Sequence, residues 1–384
     1  MVDQPTNQPS THNLSHQDYE GDHPRWNCGD SMGKKSKKSI RLISINAGNF
    51  SVVEKEKGKV EDLCALIRCT QSDITNFCEH GLNPKNLPPH EQWPERMYGQ
   101  FENYRSKLTW NVNEKNTDQR LWGGTGTIIT GKTTQRILEM GNDPRGLGRW
   151  TWTKLRGYNG IIIRIISIYI PHNSRGQETI AGQHRKYYDN HQICGNIIDL
   201  LWEEFAQEMN KWYEDGEQLI VTGDFNQEMT DNDIVEFFDK YNMYEAPTTK
   251  HDNTPETHIR NNQGKTIDGI WVSAGISPLA SGYLKYDEWD HRPVWIEIDE
   301  NHVFGRRETL TPPIRARRLK LEDKSATQLY QKTLDSLYCE YNFYKKFWST
   351  VKDIDSQGIT LSLYKEIDAL DQLRCKLMLK AKKM

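Results

Sequence analysis

The chain has 384 residues, a formal net charge of −3 and 7 cysteines. No stretch stays apolar for the roughly eighteen residues a membrane span needs, since Arg164 interrupts even the Ile-rich segment. Cys28, Cys64, Cys69, Cys78, Cys194, Cys339 and Cys375 are odd in number, scattered and without Cys-x-x-Cys pairing, which argues against a disulfide scaffold or zinc site and for a soluble protein of a reducing compartment, nuclear or cytoplasmic. Residues 305–384 carry 17 Lys and Arg against 10 Asp and Glu, a net of +7, which leaves the rest at −10. An acidic body argues against tight nonspecific duplex binding by the body alone, and the basic end is the part suited to supply that affinity.

Residues 1–39 are rich in Gln, Asn, Ser, His and Lys and read as a disordered segment without the apolar core of a signal peptide. Leu42 to Ile45 is a short apolar strand ending in Asn46, and Gly48 turns the chain. Lys57 to Cys69 places Val60, Leu63, Cys64 and Ile67 on one helical face. Asp73 to Phe77 is a second strand, followed by Cys78, which suits a small buried apolar role, and by Glu79. The prolines at 84, 88, 89 and 94 require a loop within 81–110. Trp122-Gly123-Gly124-Thr125-Gly126 lacks the Lys-Ser/Thr of a nucleotide loop and reads as a tight turn before a strand reaching Thr130.

Ile161 to Ile170 is a long β-branched strand that carries Tyr169 two residues before Pro171, where the strand must stop. Tyr187 to Asp215 holds Ile193, Ile197, Leu200, Leu201, Phe205 and Met209 at helical spacing and predicts one helix. Leu219 to Val221 then leads into Thr222-Gly223-Asp224-Phe225-Asn226. A further strand, Thr266 to Trp271, has Asp268 in an apolar setting, and Asp290-His291 precede a closing strand, Val294 to Ile298. Arg306 to Lys320 suits an extended basic linker. From Leu321 the pattern turns helical, with stripes at Leu334, Leu337, Tyr338 and Tyr341 and at Tyr364, Ile367, Leu370, Leu373 and Leu377. These stripes are expected to pack on a following domain or on a second copy of themselves.

Asp224 and Asn226 stand two apart at a strand's end, so they share a face where they can hold a water or a phosphate oxygen together. The pentapeptide alone reads equally well as an ordinary turn. Its weight comes from the order in which Asn46, Glu79, Tyr169, Asp224 with Asn226, Asp268 and Asp290-His291 appear, most at strand ends. This ordered set, spanning roughly Ile40 to Ile298, resembles the endonuclease/exonuclease/phosphatase family, most closely the apurinic-type endonuclease domain of non-LTR retrotransposons. Arg149-Trp150, the strand ending Tyr169-Ile170-Pro171 and the basic tail carry that narrower likeness.

The resemblance implies a DNase I-like α/β fold, a four-layer sandwich of two packed mixed β-sheets flanked by helices. The implied organisation is a disordered segment 1–39, the domain over 40–299, a basic linker 300–320 and a helical tail 321–384. The implied activity is metal-dependent phosphodiester hydrolysis, an endonuclease nicking DNA, with Mg²⁺ as cofactor and Mn²⁺ as substitute. Glu79 and Asp290 are the metal ligands, with Asn46 beside them. Asp224 is the base for the attacking water, and Asn226 holds the water or the phosphate. Asn46 and Tyr169 donate to the phosphate, Asp268 aims a protonated His291 at a phosphoryl oxygen, and Thr257 lines the site. Glu79 as a surface residue opening a loop, and Asp290 as a simple turn, remain the plain alternatives.

Three positions depart from the related repair nucleases. His258 stands where Trp is frequent, Lys265 is the nearest counterpart of an Arg, and His80 follows Glu79 in place of Thr. The implied partners are nucleic acid, DNA above RNA, and an adjoining reverse transcriptase domain or a second copy met through the C-terminal helices, with no membrane. The same fold serves deadenylases and phosphatases, and a non-catalytic interaction protein using the tail helices is the reading from another class.

Overall fold

A computed structural model describes residues 29–30, 32–50, 58–88, 91–114, 121–251, 254–260, 263–285, 289–305, 324–358 and 360–381. The chain forms two units, Met1–Leu310 and Thr311–Met384. The larger opens with β1 (Ser39–Asn46), α1 (Lys59–Thr70), β2 (Ile74–Cys78), α2 (Trp93–Arg96), β3 (Tyr104–Thr109) and β4 (Thr125–Thr130). It continues through β5 (Ile137–Asn142), β6 (Trp150–Arg156), β7 (Ile162–Tyr169), α3 (Ile180–Asn190), α4 (Ile197–Glu214), β8 (Gln218–Asp224) and α5 (Asn232–Asp239). It closes with β9 (Met243–Glu245), β10 (His258–Arg260), β11 (Gln263–Lys265), β12 (Asp268–Ser273), β13 (Pro278–Tyr283), β14 (Val294–Asp299) and α6 (Glu300–Phe304).

Two six-stranded sheets, ordered β13-β14-β1-β2-β4-β3 and β5-β6-β7-β8-β12-β9, pack face to face. Period-two alternation sorts their side chains into layers. Ile40, Leu42, Ile74, Ile163, Ile165, Ile220, Ile270, Val294 and Ile296 point between the sheets and form the central core. The intervening residues point outward. Ile43, Ile45 and Phe77 meet Val60, Leu63 and Ile67 of α1, and Ile166, Ile168 and Val221 meet Leu201, Phe205 and Met209 of α4 and Phe238 of α5. The result is the expected four-layer arrangement.

Each sheet contains one parallel pair, β1 with β2 and β7 with β8, joined by α1 and by α3 with α4 respectively. Parallel neighbours end at the same edge of a sheet, so these crossovers bring the C-terminal ends of four strands to one end of the sandwich. Asn46 pairs with Cys78, next to Glu79, and Tyr169 pairs with Asp224. β12 runs antiparallel to β8 and begins where β8 ends, with Asp268 opposite Asp224.

Several expectations are corrected. The predicted helix from Tyr187 to Asp215 is two helices, because Gln192 (φ 57°) and Gly195 (φ 152°) take positive φ and Asn196 starts α4 anew, its side chain accepting from Ile198 N at 2.9 Å. Residues 81–110, expected to contain a loop, do so: among the described residues only α2 and β3 are regular there. Of the segment predicted to be disordered, residues 29–30 and 32–39 are described and tied down. Asp30 N–H donates to Tyr283 O at 2.6 Å, Lys35 pairs with Asp73, and Ser39 opens β1. Residues 1–28 and 31 lie outside the described residues, as does the basic stretch 306–320. The domain also runs past residue 299, since Val303 and Phe304 of α6 join the central core.

The smaller unit is three helices, α7 (Lys324–Glu340), α8 (Phe343–Gln357) and α9 (Leu361–Ala381). Its predicted stripes pack on one another within one chain: Leu337, Phe343, Leu377 and Ala381 are buried together, with Leu334, Tyr338, Leu370 and Leu373 against them. Among the described residues no helix is long and apolar enough to cross a membrane, and no disulfide forms.

Candidate active site

The strand pattern that builds the core also grades it from apolar to reactive. Inward positions read Leu42, Ser44, Asn46 along β1, Ile165, Ser167, Tyr169 along β7, and Ile220, Thr222, Asp224 along β8. Ile74 and Asn76 begin the same series along β2. Near one end of the sandwich the side chains between the sheets thus become small and polar, then functional. Asn76 is fully buried and joins the sheets there: its amide donates to Thr222 Oγ1 at 2.8 Å and to Ile166 O at 3.2 Å, and its oxygen accepts from Thr127 Oγ1 at 2.8 Å. Ser167 Oγ donates to Phe77 O at 3.1 Å across the same gap. This hydrogen-bonded polar layer separates the buried charged cluster from the apolar core below it.

Above that layer, His291 Nδ1 lies 2.8 Å from Asp268 Oδ2, both side chains buried. Asn46 Nδ2 donates to Asp224 Oδ2 at 2.9 Å and lies 3.5 Å from His291 Nε2. Ligand atoms of Asp224, Asp268 and His291 all lie within 4.8 Å of one another, as do those of His258, Asp290 and His291. Glu79 reaches the cluster through its backbone. Following inward-facing Cys78 it would point outward on a continued strand, but its φ of 53° is left-handed, an unusual conformation for a non-glycine residue. Its carboxylate accepts from Tyr169 and Asn46. Asp290 is exposed, and its carboxylate lies so near Gly48 (φ 50°) that a Cβ there would stand 2.7 Å from Oδ1.

Crowded carboxylates and burial shift these groups. Burial raises Glu79, with Asp290 adding to the rise and Tyr169, His291 and Asn46 opposing it. Asp224 is pushed up to about 8, by burial first and then by Asp268, with His291 pulling it back. Burial alone would lower His291, but Asp268, Asp224 and Asp290 outweigh it and raise the imidazole to about 10. The ring is therefore an imidazolium at neutral pH. Tyr169 is held well above the phenol range by burial and by Glu79, so it remains a donor.

No family model matches the sequence, and no curated protein matches it. The AP endonuclease LMAP from Leishmania major superposes with a TM-score of 0.51 at 12% identity, over 72% of this chain and 97% of that one. The chain has the endonuclease/exonuclease/phosphatase fold. The Xenopus laevis APE2 catalytic domain matches with a TM-score of 0.47 at 13% identity, over 68% of this chain and 92% of that one. A Neisseria 3' phosphatase, NExo, matches with 0.44 at 15%, over 68% and 99%. Identities this low establish the fold alone.

Within this fold the predicted residues divide by what their polar atoms face. Asn46, Glu79, Tyr169, Asp224, Asp268 and His291 meet in one cluster, with Asp290 at its exposed edge. Asn226, at φ 50°, donates its backbone N–H to Asp224 Oδ1 at 2.8 Å and its side-chain amide to Ile170 O at 2.8 Å, so it braces the ends of β7 and β8. Thr257 is buried with its hydroxyl engaged: Oγ1 accepts from Ile267 N at 2.9 Å and Asp268 N at 3.1 Å and donates to Lys265 O at 3.3 Å. It positions Asp268 from behind.

The three departures have separate explanations. His80 is fully buried, with Nε2 2.8 Å from Thr109 O and Nδ1 accepting from Leu82 N at 3.1 Å. Burial lowers it to about 4, so it is a neutral brace for the loop after Glu79. Lys265 points to solvent and pairs with Glu228 at 3.2 Å. His258 bridges His291 through its strand and stacks on its ring with centroids 4.4 Å apart, tilted by 31°.

Sequence reasoning missed Arg292 and Asn76. Arg292 is buried; its backbone N–H donates to Thr257 O at 2.7 Å, and its guanidinium donates to Glu256 O and Leu284 O at 3.1 Å each. It locks the segment bearing His291 to the one bracing Asp268. Nothing in one sequence marks such an Arg. Asn76 had a signal, a carboxamide at an inward position of an apolar strand.

Proposed function

We propose that the protein is a metal-dependent phosphodiester hydrolase, an endonuclease that nicks DNA, derived from or part of a non-LTR retrotransposon. The observation that most supports the hydrolytic reading is the convergence, at one end of the sandwich, of an acidic cluster on an imidazole that Asp268 holds at 2.8 Å. Phosphodiesters resist hydrolysis because their anionic oxygens repel nucleophiles, so a site must supply positive charge, an aimed water and help for the leaving oxygen. Asp224 in its ionised form takes the proton of the water, and the raised pKa makes that form a stronger base than a surface carboxylate. Asn46 holds Asp224 in place. The imidazolium of His291 donates from Nε2 to a phosphoryl oxygen, while Asp268 fixes the other nitrogen as a donor.

Glu79 and Asp290 would hold a divalent cation, with the amide oxygen of Asn46, which also accepts from Gly48 N at 2.9 Å. The residues fit such an ion. The donor set is all oxygen, which suits Mg²⁺ or Mn²⁺. Glu79, Asp224, Asp268 and Asp290 face one imidazolium, and Asp268 Oδ1 is buried without a partner, so the cluster is short of positive charge. When bound, the ion would neutralise charge on the phosphate and the leaving oxygen.

Likeness to an AP endonuclease supports nucleic acid as the substrate class, as does the +7 balance of residues 305–384. The retrotransposon origin rests on Arg149-Trp150, Tyr169-Ile170-Pro171 and that basic end. The test is nicking of supercoiled plasmid by the purified chain with Mg²⁺, halted by EDTA. A folded protein that cleaves neither plasmid nor RNA nor a phosphomonoester with Mg²⁺ or Mn²⁺ would reject the hydrolytic reading. Cleavage confined to RNA or to monoesters would reject the endonuclease.

A further inference from the structure

A groove of about 500 Å³ opens beside Tyr169 between Trp122 and the segment 171–181, lined among others by Pro171, His172, Thr179 and Ile180. Its volume is that of a small-ligand site, and its walls are mainly hydrocarbon. Trp122 is 46% exposed, yet its backbone is held on both sides: Leu121 N–H donates to Gly81 O at 2.9 Å, and Gly81 N–H donates to Gly123 O at 3.0 Å. Gly123 takes φ 88° and lies on Ile180, which an added Cβ would meet at 3.3 Å. The backbone that carries Trp122 is therefore held in register with the segment that follows Glu79, two residues before Gly81.

The opposite wall is registered to the other half of the cluster. Ile170 N–H donates to Asp224 O at 3.0 Å, and Ile170 O accepts from the Asn226 side chain at 2.8 Å. Beyond Pro171, Arg185 Nη2 donates to Ser174 O at 2.5 Å, and Thr179 caps α3 by accepting from Gly182 N at 3.1 Å. Both walls thus hold fixed positions relative to the groups assigned to the phosphate, and Tyr169 belongs to both the groove and the cluster. A half-exposed indole lining a mainly apolar slot beside the proposed phosphodiester site suits the chemistry of a nucleobase, whose π-face stacks regardless of sequence.

We propose that this groove receives the unpaired base of a nucleotide neighbouring the scissile phosphate, stacked on Trp122, so that the enzyme favours single-stranded or unstacked positions in its substrate. The inference rests on the phosphodiesterase reading. The base must leave a duplex to enter the slot, which costs least where pairing is already lost.

The test uses the full chain with Mg²⁺ and a short single-stranded oligodeoxynucleotide whose cleaved bond has been mapped. Each nucleotide flanking that bond is replaced in turn by an abasic analogue. For the wild type, removing one flanking base should lower kcat/KM about ten-fold, the scale of one base–aromatic stack. Trp122→Ala should show that loss with the intact oligonucleotide and lose less than about two-fold more when the base is removed. Trp122→Phe should keep most of the activity. Equal sensitivity to base removal in the wild type and in Trp122→Ala overturns the assignment, as does a wild type indifferent to every flanking base. If the folded wild type cleaves no phosphodiester at all, the underlying reading fails and the groove assignment falls with it.

Discussion

Asp268→Asn tests the coupling on which the chemistry rests, because it keeps shape while removing the charge that holds His291 protonated. Asp268 is the largest of the influences raising His291 to about 10, against burial that lowers it. Without that charge the imidazole should return to or below the ordinary histidine value of about 6.5. At pH 8.5 the protonated fraction would then drop from about 97% to about 1%, so the rate should fall about a hundred-fold there if the imidazolium donates to the phosphate. The assay is plasmid nicking at saturating metal across about pH 6 to 9.5. The wild type should show no alkaline fall below about pH 9, with any rise toward about pH 8 following ionisation of Asp224, whereas Asp268→Asn should begin to fall from near neutrality. His291→Ala should abolish the limb, and adding Asp268→Asn to it should cost little more. An alkaline limb unmoved by Asp268→Asn, or additive losses in the double variant, would refute the partnership. Stability follows the same sign. A histidine whose folded pKa is raised contributes stability fully present below its unfolded value, near 6.5, and lost as pH rises through about 10.

Glu79→Gln preserves size but not charge, and should lower the rate and raise the metal concentration needed together; a wild-type metal titration would remove Glu79 from the metal site. Asp224→Asn should be slower still at saturating metal, since the water loses its base, and near-normal turnover would place the base elsewhere. Ending the chain after Gly305, which retains α6, should leave the rate at saturating DNA nearly unchanged while raising the DNA concentration required and flattening its salt dependence; a lost saturated rate would make the tail part of the catalytic unit. Arg149 is buried between Asp143, at 2.7 Å through two nitrogens, and Glu204, at 2.7 Å, and its carbonyl accepts from Tyr169 N at 2.8 Å. Arg149→Met should cost about 3–5 kcal/mol by stranding Asp143, and a urea-unfolding loss below about 1 kcal/mol would show that the ion pair is not holding this end of β7.

Local chemistry made much of this protein legible in its sequence. Apolar runs of strand length announced β1, β2, β7, β8 and β12, and the polar residues at their ends stood out because an Asn, Asp or Tyr at the edge of such a run needs a reason to be there. Period two also placed Asn46, Tyr169, Asp224 and Asp268 on inward faces, and the order of these groups pointed to the fold. What period and order do not contain is contact across the sandwich. Which strands become parallel neighbours decided that four strand ends share one edge, and a left-handed residue at Glu79 decided that its carboxylate turns in. The sequence shows Thr257 and Asn226 as polar groups near the site, whereas only folding sets the backbone bonds that their side chains also make, Thr257 to residues 265–268 and Asn226 to Ile170. The helical stripes of the tail were plain as spacing, while their partners were one another, a choice made by the two short connections between the three helices and invisible to periodicity. A sequence specifies which face a side chain occupies; only the folded chain supplies what that face meets.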